Sequence, residues 1–198
     1  TPSNLQGWSA QNLQGGATVG ITGAQPQSGN GSLQFTAPTN GKADFILGGA
    51  SNYGLLSNLT SLSLDYYRDG SSGAPAHLAP AVRLSIFDSA TNRSGYLVWE
   101  HVYNDGPGNV PIPTNQWISE DIIGDNFWLR AFGPSRTIED YDTTLVEWTT
   151  PSTVITGDPN NGGGAFAPFD AATTIVTGFQ IGVGSGWSGS FLGYVDNF

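Results

Sequence analysis

The chain has 198 residues, 16 Asp and Glu against 6 Lys and Arg, a formal net charge of −10, no Cys and no Met. Six scattered cations on an acidic chain cannot neutralise a run of phosphates, which excludes nucleic acid as a partner and disfavours anionic membrane. The missing Cys removes disulfides, thiolate nucleophiles and zinc–thiolate sites together, while 38% hydrophobic and 12% aromatic residues suffice for a core in one domain over residues 1–198.

Period-two alternation dominates the chain. Early strands are expected at 17–21, 32–36 and 43–47. Leu62, Leu64 and Tyr66 then alternate with Ser63, Asp65 and Tyr67, and Val82, Leu84 and Ile86 with Arg83, Ser85 and Phe87. The run 96–103 is apolar on both registers, so either face of that strand could be the outer one. Residues 142–148 depart from the pattern: Thr144 and Glu147 have capping-box spacing, and a short helix over one end of the sheets is expected. Phe179, Ile181 and Val183 alternate with Gln and Gly, and residues 191–195 form a last strand. Turn clusters such as Ser28-Gly29-Asn30-Gly31 and Asp69-Gly70-Ser71-Ser72-Gly73 separate these segments. The expected fold is all-β, an antiparallel two-sheet β-sandwich (jelly roll) with one short helix. Apolar runs such as Phe45-Ile46-Leu47 are far too short to insert into a membrane. The start at Thr1-Pro2, with neither Met nor signal peptide, is expected of a processed segment, and a Gly-, Ser-, Thr- and Asn-rich, Lys-poor composition points to a secreted or cell-surface protein.

Catalytic constellations are weak. His77 and His101 are the sole candidate bases, and no G-x-S-x-G elbow accompanies them. A glycosidase needs two carboxylates facing each other, but Glu120-Asp121 and Glu139-Asp140 are neighbours that point apart in extended chain, and Glu100 stands without an i+2 acid. Gly184-Ser185-Gly186-Trp187-Ser188-Gly189 fits G-x-G-x-x-G formally, yet a strand follows it where a dinucleotide site needs a helix; it reads as a hairpin connection. The sequence Asp158-Pro159-Asn160-Asn161-Gly162 has the rhythm of a calcium loop without its later bidentate Glu. A sugar ring offers an apolar face that stacks on Trp or Tyr, so a platform is expected from Tyr67 and Phe87 with either Trp99, His101 and Tyr103 or Tyr96 and Glu100. Trp128 and Trp187, near loops, would add to it. The candidate ligand-binding set is therefore Tyr67, Trp99, His101, Tyr103, Trp128 and Trp187, weighed against the ordinary burial of such rings in a sandwich core.

Gly7-Trp8, the segment Ser28 to Phe35 and the closing Gly193-Tyr194-Val195-Asp196-Asn197-Phe198 resemble galactose-binding-like jelly rolls of secreted bacterial surface proteins, related to carbohydrate-binding modules. The resemblance implies a non-catalytic domain and, at Asp196, a structural Ca2+. The chain departs from that pattern because no acid precedes Asp44, so a usual second ligand is missing and a hydrogen-bonding role for Asp196 is the alternative. The function expected is an extracellular non-enzymatic domain binding a polysaccharide or cell-surface glycan. The alternatives are a structural module of a surface layer, filament or adhesin that self-associates through strand edges, and a carbohydrate-active hydrolase or lyase using Glu100.

Overall fold

The structure, a computed structural model, describes residues 5–48, 51–106, 108–132, 141–151, 169–184 and 186–198. Eleven strands appear among them: β1 (Trp8–Gln14), β2 (Thr18–Thr22), β3 (Ser32–Ala37), β4 (Lys42–Gly48), β5 (Ser63–Arg68), β6 (Ala81–Asp88), β7 (Arg93–Trp99), β8 (Trp117–Asp121), β9 (Trp128–Ala131), β10 (Thr174–Gly184) and β11 (Phe191–Asp196). They form one sheet in the order β1-β4-β10-β6-β7-β9 and a second in the order β2-β3-β11-β5-β8, with every strand pair antiparallel. The chain is an all-β two-sheet sandwich, as the alternation predicts.

The side chains that alternate inward form one core. Val82, Leu84, Ile86, Leu97, Trp99 and Leu129 of the six-stranded sheet meet Leu33, Phe35, Leu64, Tyr66, Phe191 and Val195 of the five-stranded one. The helix α1 (Leu145–Thr149) has Thr144 as N-cap and Glu147 completing the capping box. It buries Leu145 and Trp148, and the Trp148 indole N–H donates to the Phe127 carbonyl at 2.6 Å.

Two sequence expectations are corrected. The run 96–103 is not one strand: β7 stops at Trp99, and His101–Tyr103 form a 3-10 turn. That places His101 off the strand and lets Tyr103 leave the sheet. The segment between Gly184 and Phe191 is not a hairpin, because β10 and β11 belong to different sheets; it carries the chain across the sandwich. The proposed calcium loop at 158–162 and the Glu139-Asp140 pair lie outside the described residues.

Candidate functional site

The outer face of the six-stranded sheet is set by register. Ser9, Ile46, Gln180, Arg83, Val98 and Trp128 pair in sequence across β1, β4, β10, β6, β7 and β9, forming one row perpendicular to the strands. Beside it runs a second row of Gly48, Gly178, Ser85, Tyr96 and Arg130. Both rows face away from the core because their neighbours in each strand face into it.

At the β9 end of the first row stands an aromatic corner. Tyr141 lies between Tyr103, at a ring-centroid distance of 4.3 Å, and Trp128, at 6.1 Å. The Trp128 indole N–H donates to Glu100 Oε2 at 2.9 Å. Three chain segments supply these rings, and Asn104 ties two of them together. Its amide donates to the Glu100 carbonyl at 3.1 Å and to the Asn126 carbonyl at 3.2 Å, while its oxygen accepts the Asn126 backbone N–H at 2.7 Å. Asn126 also bridges to Thr144 next to the helix. Tyr103 is 39% exposed, and Trp128 and Tyr141 are half-buried, so the corner combines held rings with open surface.

A polar group sits further along the same face. Asp44, whose side chain is 2% exposed, takes Lys42 Nζ at 3.2 Å and Arg83 Nη1 at 3.0 Å, and the Asn12 amide at 2.8 Å. A Cβ added at Gly182 would run into both the Asp44 carboxylate and Arg83 Nη1. The bare backbone there lets this ion pair lie flat on β10.

The six aromatic and imidazole candidates fall into separate places. Tyr103 and Trp128 meet at the corner, with Tyr141 as the ring that sequence reasoning missed. Trp99 is fully buried in the core, its N–H donated to Asp125 Oδ2 at 2.8 Å. Tyr67 belongs to the other sheet. Although it points outward it is 6% exposed, wedged between Trp117 and Tyr194 with both ring centroids at 5.6 Å. Trp187 packs edge-on to Phe191 at 5.2 Å.

His101 lies behind the corner rather than in it. Its Nδ1 faces Tyr66 Oη at 3.3 Å and Glu120 Oε2 at 3.8 Å, and its Nε2 faces Asp105 Oδ2 at 3.8 Å. Burial, followed by the charge of Glu120, pushes the Tyr66 phenol far above its ordinary pKa, so it stays neutral. Burial likewise holds the Asp125 carboxyl above its usual value, with the Trp99 N–H acting in the opposite direction.

Asp196 is wired as an acceptor. Oδ2 takes the backbone N–H groups of Gln27 at 3.1 Å and Ser28 at 2.9 Å, and Oδ1 takes that of Asn197 at 2.9 Å. These N–H groups turn their positive ends toward the carboxylate oxygens, as the hydrogen-bonding role of Asp196 requires. Among the described residues no three His, Asp or Glu side chains are arranged to hold a metal ion.

A cleft of about 600 Å3 opens between the sheets at the opposite edge of the sandwich and is lined by Trp8, Leu33, Phe45, Val195 and Phe198 among others. Its rings are committed to one another: Trp8 stacks on Phe45 at 5.4 Å and 9° and meets Phe198 edge-on. Phe198 is 39% exposed there, as Tyr103 is at the corner.

No family model and no curated protein matches the chain. Among solved structures it is similar to the family 11 carbohydrate-binding module of the cellulosomal cellulase Lic26A-Cel5E of Clostridium thermocellum, with a TM-score of 0.49 and 13% identity over 96% of this chain and 85% of that one. A family 11 module of Clostridium thermocellum in complex with a β-1,3-1,4-mixed-linked tetrasaccharide gives a TM-score of 0.47 and 12% identity over 98% of this chain and 87% of that one. A β-1,2-glucanase from Parabacteroides distasonis gives 0.44 and 11% identity over 97% of this chain but 22% of the enzyme. The β-sandwich itself is shown by the chain's own two sheets, and no ligand or residue role is carried over from these structures. No described helix is long and apolar enough to cross a membrane.

Proposed function

We propose that this chain is a non-catalytic, extracellular glycan-binding domain whose ligand stacks on the corner formed by Tyr103, Tyr141 and Trp128. The observation that carries the reading is the placement of Tyr141 between the other two rings on the outer face. Three rings from separate segments, two of those segments tied together by the Glu100 and Asn104 bonds, form a preorganised amphipathic surface with little side-chain freedom to lose on binding. Pyranose rings present an apolar C–H face to such a surface and hydroxyls to the amides beside it. An export setting accords with the Cys- and Met-free, Lys-poor composition.

Affinity electrophoresis through gels containing neutral and acidic polysaccharides tests the reading. Retardation by at least one polymer, lost in W128A and Y141A and kept in a Trp187→Ala control, is the expected result. Unretarded migration in every gel would overturn it.

A further inference from the structure

The charge of this molecule is unevenly spread, and the unevenness lies on the proposed binding face. Three of the six cations, Lys42, Arg83 and Arg130, occupy outward positions of the six-stranded sheet. Among the described residues, two carboxylates on this face are already engaged: Asp44 with Lys42, Arg83 and Asn12, and Glu100 with Trp128. Around Asp44 a chain of net charge −10 therefore gathers two cations on one carboxylate, and one of them, Arg83, stands in the row that leads to the aromatic corner.

Arg83 occupies the informative position in that row, between Gln180 and Val98. Trp128 lies two strands further on, about 10 Å away at the usual strand spacing. Nη1 is anchored on the buried Asp44 at 3.0 Å, over the bare backbone of Gly182. Because Lys42 also binds Asp44, one carboxylate is shared by two cations and the group keeps a net positive charge. A guanidinium has five N–H donors in a rigid fork. The bond to Asp44 uses one edge, and the 20% of the side chain left exposed opens on the face that carries the rings. An arginine whose orientation is set by a buried partner is a ready receptor for a second, planar anion, which it can grip with two parallel N–H bonds.

We propose that the glycan bound here carries carboxylates, as a uronic-acid polymer does, and that Arg83 reads a carboxylate of the chain while the rings at Tyr103, Tyr141 and Trp128 stack a neighbouring sugar. The proposal rests on the glycan-binding reading above and names its ligand class. The surrounding negative charge repels polyanions in general, so acceptance of an acidic glycan depends on the positive strip and on Arg83 in particular.

The test compares polygalacturonate, alginate, glucuronoxylan and hyaluronan with the same four polymers after chemical reduction of their carboxyls to hydroxymethyl groups. A set of neutral glucans and xylans is run alongside, all by affinity electrophoresis and calorimetry on the whole chain. At least one acidic polymer should bind, and roughly tenfold or more tighter than its reduced form, as loss of a charge-assisted bidentate contact requires. R83K keeps a cation beside Asp44 but loses the fork; it should bind the acidic polymer no better than the reduced one, whereas W128A should lose both. Equal binding of acidic and reduced forms, or retention by neutral polysaccharides alone, overturns the proposal and leaves the glycan-binding reading standing. Failure of every polymer overturns both. Should R83K fold poorly by circular dichroism, the comparison of polymers on the unmodified chain decides alone.

Discussion

Trp128, the first residue of β9, and Glu100, the residue just past the end of β7, join at 2.9 Å, indole N–H to carboxylate. The bond fixes a ring on an edge strand of the sheet. A charge-assisted bond of this kind contributes about 1.5–3 kcal/mol. E100Q keeps an acceptor and should bind glycan almost as the native chain does. E100A should weaken binding by roughly tenfold through a loosened ring. Titration calorimetry on a retained polysaccharide distinguishes the two, and equal affinities for E100A and the native chain would exclude the positioning role.

Gly182 governs the neighbouring ion pair. Substitution by Ala forces a methyl into the space that Asp44 and Arg83 occupy. The buried carboxylate is then displaced from Lys42, Arg83 or Asn12, and G182A should lose about 1–3 kcal/mol of stability. Urea unfolding measures this directly. An unchanged midpoint would mean that the pair can relax away from β10 without cost.

Asp125 links stability to pH. Burial raises its folded pKa above the unfolded value of about 3.9. Between those two values the folded state binds more protons than the unfolded one, so this group's stabilisation is present below pH ~4 and is lost as pH rises through the folded pKa. D125N offers an oxygen to the Trp99 N–H and does not ionise. The difference in Tm between D125N and the native chain should therefore grow in favour of D125N from about pH 4 toward neutrality. A difference that shrinks over the same range would reverse the assigned sign.

Asp196 closes the turn at Gln27 and Ser28 onto the last strand. D196A removes the acceptor of those exposed N–H groups, which water then solvates, and should cost about 0.5–1.5 kcal/mol. Since three N–H donors already engage the two oxygens, EDTA should leave the thermal unfolding curve of the native chain in place. A clear fall in Tm on chelation, restored by calcium, would return the cation to this end of the molecule.

Alternation of apolar and polar residues was enough to find most of the sandwich. The strands around 62–67, 82–87, 179–183 and 191–195 fall where period two puts them, and Thr144 and Glu147 cap α1 as their spacing requires. β1, β8 and β9 escaped that reading. β1 and β8 expose much of their length at sheet edges, and β9 is four residues long, so each carries a weak pattern. The run 96–103 shows the opposite failure: its apolar residues continue past Trp99 into a 3-10 turn whose residues are only partly buried or exposed, so an apolar pattern persists where the strand has ended.

For the site, residue type alone selected Tyr103 and Trp128, because exposed chemistry of that kind is rich in large rings. It did not separate them from Trp99 or Tyr67. Period two divides a strand into two faces without saying which one meets the other sheet, and that choice is made only when the sheets pack. Nothing local marks Tyr141, which reaches the corner from a segment 38 residues beyond Tyr103, or pairs Arg83 with Asp44 across β10. Composition and periodicity therefore determined the sandwich, its acidic charge and the kinds of side chain available. The tertiary structure decided which rings share a surface and where the few cations gather, because both depend on cross-strand register, a property of strands distant in the chain.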